Sequence, residues 1–228
     1  MIPTLWGGSR TATALAAVLL VLVVANVARS TVVPSGLHLG FNLATAGLVA
    51  TIGAWAQLSR AELGLEPSTL GAGLRFGLAV FGIVLAAIAV AAVVPAARGA
   101  FEDDRAQVDA ATMALRVLVV IPLGTVLVEE LIFRGVLHGL LVRLTTATGA
   151  LVVGAVVFGL WHVFPAWRGA DGATLARLGV AGGTLVATTA AGAGFIWLRT
   201  RSDSLAAPAL AHLATNSLAY AAAWVLSR

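Results

Sequence analysis

The sequence contains no cysteine and no lysine, and only 11% of its 228 residues are charged. Without cysteine, disulfides and thiolate chemistry are excluded. A soluble domain of this length would carry roughly twice this charged fraction. All 14 basic residues are arginine, and the net charge of +4 is spread over loops without forming a basic patch. This distribution gives no support to nucleic-acid binding.

Long apolar runs dominate the sequence, since 60% of the residues are hydrophobic. A helix needs ~20 apolar residues to cross a bilayer. The apolar runs therefore predict a polytopic membrane protein of all-α class. The candidate spans are residues 11–28, 39–58, 76–94, 112–142, 148–163, 178–198 and 205–226.

We expect one membrane domain over residues 1–228, because no linker or repeat divides the chain. Residues 1–111 would supply the N-terminal spans and a soluble loop, and residues 112–228 a core that carries polar motifs. The first apolar run is longer than that of a signal peptide, so we interpret it as an uncleaved helix. Two G-x-x-x-G patterns, at 135–139 and 179–183, predict close helix approach.

The run 127–135, LVEELIFRG, places three charges inside an apolar segment. Each charge near the centre of a membrane helix costs ~2.5–3.5 kcal/mol unless it is paired. Glu130 and Arg134 are four residues apart in the favourable order for an ion pair. Glu129 lies about 100° around an α-helix from Glu130 and must find its neighbours on another helix. One glutamate held by arginine and one left free suits proton transfer.

Two further spans carry polar residues. His162 ends the run FGLWH, and His212 and Asn216 stand four residues apart in HLATN. Each histidine alone is more often an interface residue than a catalyst. Since lipid offers these groups no partners, we expect the three helices to bring them together with the glutamates in one cluster.

The three motifs, in this order on successive membrane helices, resemble those of the CPBP family. That family includes the CAAX prenyl endopeptidases and the bacterial abortive-infection-like proteins. The motifs here are Glu129-Glu130-x-x-x-Arg134, Phe158-x-x-x-His162 and His212-x-x-x-Asn216. The resemblance covers roughly residues 112–226. Family members are often described with eight membrane helices, so a transmembrane helix bundle of about seven to eight helices is expected.

The resemblance implies an intramembrane endopeptidase. Glu129 would be the base that activates a water shared with His162. Glu130 and Arg134 would orient that carboxylate, and His212 with Asn216 would stabilise the oxyanion. No cofactor is certain. Glu129, His162 and His212 fit a catalytic zinc site, but the chain has no H-E-x-x-H motif, and we favour metal-free chemistry.

Two other function classes stay open. Relatives without protease activity bind peptides or confer bacteriocin self-immunity, and buried Glu, Arg and His also mark proton-coupled transporters. The complete motif set favours proteolysis. The expected partners are the lipid bilayer and a peptide or membrane-protein substrate, prenylated or not. A lysine-free composition rich in Ala, Val and Gly indicates a GC-rich bacterial genome, so we expect the bacterial inner membrane.

Overall fold

The structure is a computed structural model that describes residues 5–228. Within these residues the chain is helical, and seven helical spans are long and apolar enough to cross a membrane. The α-helices are α1 (Leu5–Thr31), α2 (His38–Trp55), α3 (Leu70–Val93), α4 (Ala110–Leu115), α5 (His138–Leu144), α6 (Ala147–Gly169), α7 (Thr174–Ser202), α8 (Ala206–Leu213) and α9 (Ala219–Leu226). This architecture confirms the all-α membrane bundle, and each of the seven predicted spans corresponds to one of these helical spans.

Several helices extend beyond the predicted apolar runs, and two of the span boundaries differ for reasons visible in the backbone. The second span ends at Trp55, three residues before the predicted end, because the backbone of Gln57 turns into the left-handed region with φ 58°. The third span begins earlier than residue 76, with a 3-10 turn at Pro67–Thr69 that leads directly into α3. Proline fixes φ at a helical value, so Pro67 starts the turn before the apolar run begins.

The fourth span, Ala110–Leu144, is continuous but is not a regular α-helix. Between α4 and α5 its backbone is π-helical over Arg116–Val120, Pro122–Leu127 and Glu130–Leu137. The last span also contains a π-helical stretch, Ala214–Leu218, between α8 and α9. The sequence analysis assumed α-helical geometry throughout. Such stretches are rare and concentrate at functional sites, and here they coincide with the first and third motifs.

Helices α6 and α7 pack closely because glycines remove side chains from their interface. A Cβ atom at Gly154 would lie 2.9 Å from the side chain of Ile196, and one at Gly192 would lie 3.0 Å from Phe158. The predicted close approach at Gly179 and Gly183 is wrong, because no described atom lies within 4 Å of a Cβ at either position.

Two arginines hold the loop between α2 and α3 in place. Arg143 lies at the end of the fourth span and Arg199 lies on α7. Arg143 pairs with both carboxylate oxygens of Glu62 and donates to the carbonyls of Ala56 and Gln57, each at 2.7 Å. From α7, Arg199 donates to the carbonyls of Ala61 and Glu62 at 2.9 and 3.0 Å. The same loop covers the predicted glycine pair at 135–139, since a Cβ at Gly139 would lie 3.4 Å from the carbonyl oxygen of Glu62. The loop thereby fixes the helix that carries the glutamates.

The Glu62–Arg143 pair predicts an acid-sensitive contribution to stability. The hydrogen bond from Arg143 is the main cause that lowers the pKa of Glu62 from 4.5 to about 2. Because the folded-state pKa is the lower one, the contribution is complete above pH 4.5 and is lost as the pH falls towards 2. We expect Glu62→Gln to lower the Tm in detergent by about 2–4 °C at pH 7, and the difference from the parent protein to shrink below pH 4.5.

Glu66→Gln is the matched control, since Glu66 lies in the same loop and no hydrogen bond or ion pair of its side chain occurs in the described part of the chain. It should leave the Tm unchanged at both pH values. If Glu62→Gln lowered the Tm by the same amount at pH 7 and at pH 3, the stability contribution could not be assigned to the charged Glu62–Arg143 pair.

Candidate active site

The fourth span places its three charges in the most buried part of the molecule. The exposed fraction is 8% for Glu129, 1% for Glu130 and 0% for Arg134. Arg134 Nη1 donates to Glu130 Oε1 at 3.1 Å, so the predicted ion pair is present. The carboxylate of Glu130 is thus paired with a positive charge from its own helix.

Two aromatic rings enclose the guanidinium of Arg134. Its Cζ lies 4.0 Å from the ring centre of Phe158 and 4.9 Å from that of Phe195. Nε and Nη2 have no hydrogen-bond partner among the described residues. A desolvated cation–π contact is worth about 2 kcal/mol or more, so the rings replace part of the hydration that Arg134 loses.

Glu129 has two unlike oxygens. Its Oε1 accepts a hydrogen bond from the indole Nε1 of Trp161 at 3.2 Å. Its Oε2 is buried and has no hydrogen-bond partner in the described structure. Instead, Oε2 faces Nε2 of His162 at 3.8 Å and Nε2 of His212 at 3.9 Å. These distances are too long for direct hydrogen bonds and leave a position between the three groups.

The other nitrogen of each imidazole is engaged. Nδ1 of His162 lies 2.8 Å from the carbonyl oxygen of Phe158, and Nδ1 of His212 lies 2.8 Å from Glu130 Oε1. Both neighbours are acceptors, so each Nδ1 carries a proton and donates it. A neutral imidazole in this tautomer presents the lone pair of Nε2. The hydrogen bonds thus turn the two Nε2 atoms towards Glu129.

Five of the six predicted residues therefore meet, and Asn216 is the exception. Its side chain is half-buried, and no hydrogen bond of its amide group is found within residues 5–228. The expected alignment of His212 and Asn216 assumed an α-helix. The π-helical stretch that begins at Ala214 changes the angle between them, because a π-helix has more residues per turn.

Sequence reasoning missed two residues of the site. The position of Trp161 next to His162 was a usable signal. Phe195 lies in a run of small residues on α7 with no motif around it. Its ring stacks on His212 at 4.9 Å with an angle of 24°, and it also contacts Arg134. Phe195 therefore contacts both hydrogen-bond partners of Glu130.

The donor set of two imidazoles and a carboxylate is chemically suited to zinc, but its spacing is not. Zinc bonds of ~2.0–2.1 Å at tetrahedral angles place ligand atoms about 3.3 Å apart. The separations from Glu129 Oε2 are 3.8 and 3.9 Å. Among the residues described, no group of three His, Cys, Asp or Glu side chains is arranged to hold a metal ion. The present geometry matches a bridging water better than a metal.

Comparison with known proteins finds one family model that matches the part of the chain that carries the site. Residues 111–218 match the family model described as type II CAAX prenyl endopeptidase Rce1-like. The matched segment contains all three motifs and both of the additional residues, Trp161 and Phe195. No curated protein and no solved structure matches the chain significantly.

The enclosure of Arg134 predicts a large loss of stability when its charge is removed. Arg134→Ala leaves Glu130 and the surrounding rings without the cation, and breaking one partner of a buried pair costs ~3–5 kcal/mol. We expect a reduced yield of monodisperse protein and a Tm lower by 6 °C or more, measured by size exclusion and thermal unfolding in detergent. Arg168→Ala, an exposed substitution on α6, should change neither. Equal Tm values for the two variants would show that the buried pair is dispensable for folding.

Proposed function

We propose, from the match of residues 111–218 to the Rce1-like type II CAAX prenyl endopeptidase family, that the chain is an integral membrane protease of the CAAX type and hydrolyses peptide bonds with a water activated by Glu129. The observation that carries this proposal is the unpartnered Oε2 of Glu129, which faces two imidazole nitrogens at 3.8 and 3.9 Å. A carboxylate oxygen buried without a hydrogen bond is costly. A water that donates to it removes that cost.

The nucleophilic water would lie between Glu129 and His162. Their facing atoms are 3.8 Å apart, which allows one water at about 2.8 Å from each. Such a water donates one hydrogen to Oε2 and the other to Nε2, so that its lone pair points to the scissile carbonyl. Glu129 takes the proton during attack and returns it to the leaving amine. The hydrogen bond from Trp161 to Oε1 keeps Oε2 as the proton acceptor.

The oxyanion of the tetrahedral intermediate requires donors opposite the water. His212 donates from Nε2 only when both of its ring nitrogens are protonated, because Nδ1 already donates to Glu130. The imidazolium that results is balanced by two carboxylates, and the group of Glu129, Glu130, Arg134 and His212 is then neutral as a whole. Asn216 is the second donor in the proposal, and its unused amide group supports that assignment.

The proposal is metal-free and assigns a peptide or membrane-protein substrate in the lipid bilayer. Wider spacing than zinc requires supports the metal-free chemistry. The lysine-free, alanine-rich composition supports a location in the bacterial inner membrane. The substrate reaches the site within the membrane region, since both glutamates lie in the fourth span.

Separate substitutions of the two glutamates test the roles. Glu129→Gln should abolish cleavage of a quenched peptide library in detergent while leaving the Tm within about 2 °C of the parent protein, because Glu129 has no ion-pair partner within hydrogen-bond distance. Glu130→Gln should lower both activity and folded yield, because it removes the counter-charge of Arg134 and leaves a buried cation unpaired.

Glu102→Gln in the exposed loop before α4 is the control for an isosteric substitution and should leave activity unchanged. If Glu129→Gln retained activity and Glu130→Gln alone abolished it, the base and its helper would be exchanged.

Chelation and Asn216 together test the metal-free mechanism. A strong chelator should change turnover by less than twofold, with no stoichiometric zinc in purified protein. Asn216→Ala should reduce kcat by about two to three orders of magnitude, as for other oxyanion donors. Stoichiometric zinc with chelator-sensitive activity, restored by added zinc, would overturn the metal-free assignment. Binding of peptides without any cleavage would instead favour the immunity-type function.

A further inference from the structure

An asparagine of the first helix contacts the helix that carries His162. Asn26 lies on α1, is 8% exposed, and its Nδ2 donates a hydrogen bond to the backbone carbonyl of Trp161. The two residues are 135 positions apart in the chain. Asn26 also lies outside the segment 111–218 that the family model covers.

Pro165 explains why this carbonyl needs a donor. In α6 the amide of residue 165 would bond to the carbonyl of residue 161. Proline has no N–H, so the regular helical bond to Trp161 cannot form. A carbonyl freed in a membrane span finds no donor in lipid, and an unpaired group there costs several kcal/mol. Asn26 supplies the missing donor from the neighbouring helix.

Trp161 makes hydrogen bonds to two different residues, one through its backbone carbonyl and one through its indole. The backbone is held by Asn26, and the indole Nε1 donates to Glu129 Oε1 at 3.2 Å. The asparagine itself gains little, because its own Oδ1 is buried with no partner in the described structure. A leucine at position 26 would avoid that cost, but it would leave the Trp161 carbonyl without a donor.

We propose that Asn26 is a positioning residue for the catalytic carboxylate, acting through Trp161. By replacing the helical bond that Pro165 removes, it fixes the backbone from which the indole reaches Glu129. The inference rests on the proposed role of Glu129 as base. It also gives the N-terminal part of the chain a defined task in a site whose motifs all lie after residue 111.

A rescue experiment tests this inference. Asn26→Leu should lower kcat by about 10- to 100-fold with KM changed less than threefold, because an unsatisfied carbonyl displaces the indole. Pro165→Ala returns an N–H to the carbonyl of Trp161. The double variant Asn26→Leu/Pro165→Ala should therefore recover to within about threefold of Pro165→Ala alone. Thr31→Val, which removes only a local bond to the Val27 carbonyl on α1, is the control and should match the parent protein.

A second cycle tests the link to Glu129. Trp161→Phe should lower kcat by a similar factor, and adding Asn26→Leu to it should reduce kcat no further. Independent, multiplicative losses in either cycle would overturn the inference.

The Tm values of the same single and double variants distinguish a failure of this inference from a failure of the proposed function. If the parent protein cleaves no peptide, the proposed function fails. The coupling between Asn26 and Pro165 is then still measured by thermal unfolding. Absence of coupling in both kcat and Tm would leave Asn26 without a positioning role.

Discussion

Arg134 has no exposed surface and carries a charge that cannot be neutralised at physiological pH. In an apolar medium this charge must be compensated by its neighbours, and the site is arranged around it. Glu130 supplies the counter-charge at 3.1 Å, and Phe158 and Phe195 face the guanidinium from two other helices. Because these partners come from α6 and α7 as well as from the fourth span, the arginine fixes how three helices meet.

The same arrangement distinguishes two chemically identical side chains. Glu130 accepts from Arg134 and His212 through Oε1, and its Oε2 is buried without a partner in the described structure. Glu129 accepts from the indole of Trp161 through one oxygen and keeps the other free. In the proposed function, these adjacent positions become a structural carboxylate and a reactive one. The difference between them is that only Oε2 of Glu129 faces the Nε2 atoms of His162 and His212.

The apolar runs and the motif residues were sufficient to predict the seven spans and to name five residues that meet in the site. Both predictions rest on the same physics, since lipid rewards long apolar helices and gives buried polar groups no partner. The conformation of the fourth span was not predictable, because no residue type marks a π-helical stretch. For that reason the position of Asn216 relative to His212 differs from the expectation. The roles of Trp161 and Phe195 were not predicted, because aromatic residues are common in membrane spans. Only their contacts in the structure show what they do.

The contact made by Asn26 was not predicted, for a different reason. It stands alone in the first apolar run, and its partner is a backbone carbonyl, which carries no sequence signal of its own. Only Pro165, a residue on another helix, makes that carbonyl need a donor. Pairings between a side chain and a distant backbone group lie beyond what motif spacing can predict.

The separation of Glu130 and His212 in the chain has a consequence for biogenesis. They are 82 residues apart, and synthesis at 5–20 residues per second delays the second by about 4–16 s. Until α6 is made, the fourth span holds its charges with only the local Glu130–Arg134 pair to compensate them. The aromatic partners arrive with α6 and α7, and His212 comes last. The nascent fourth span therefore needs shelter beside the insertion machinery until the later helices are made, and truncation before the last span would leave a helix that the bilayer retains poorly.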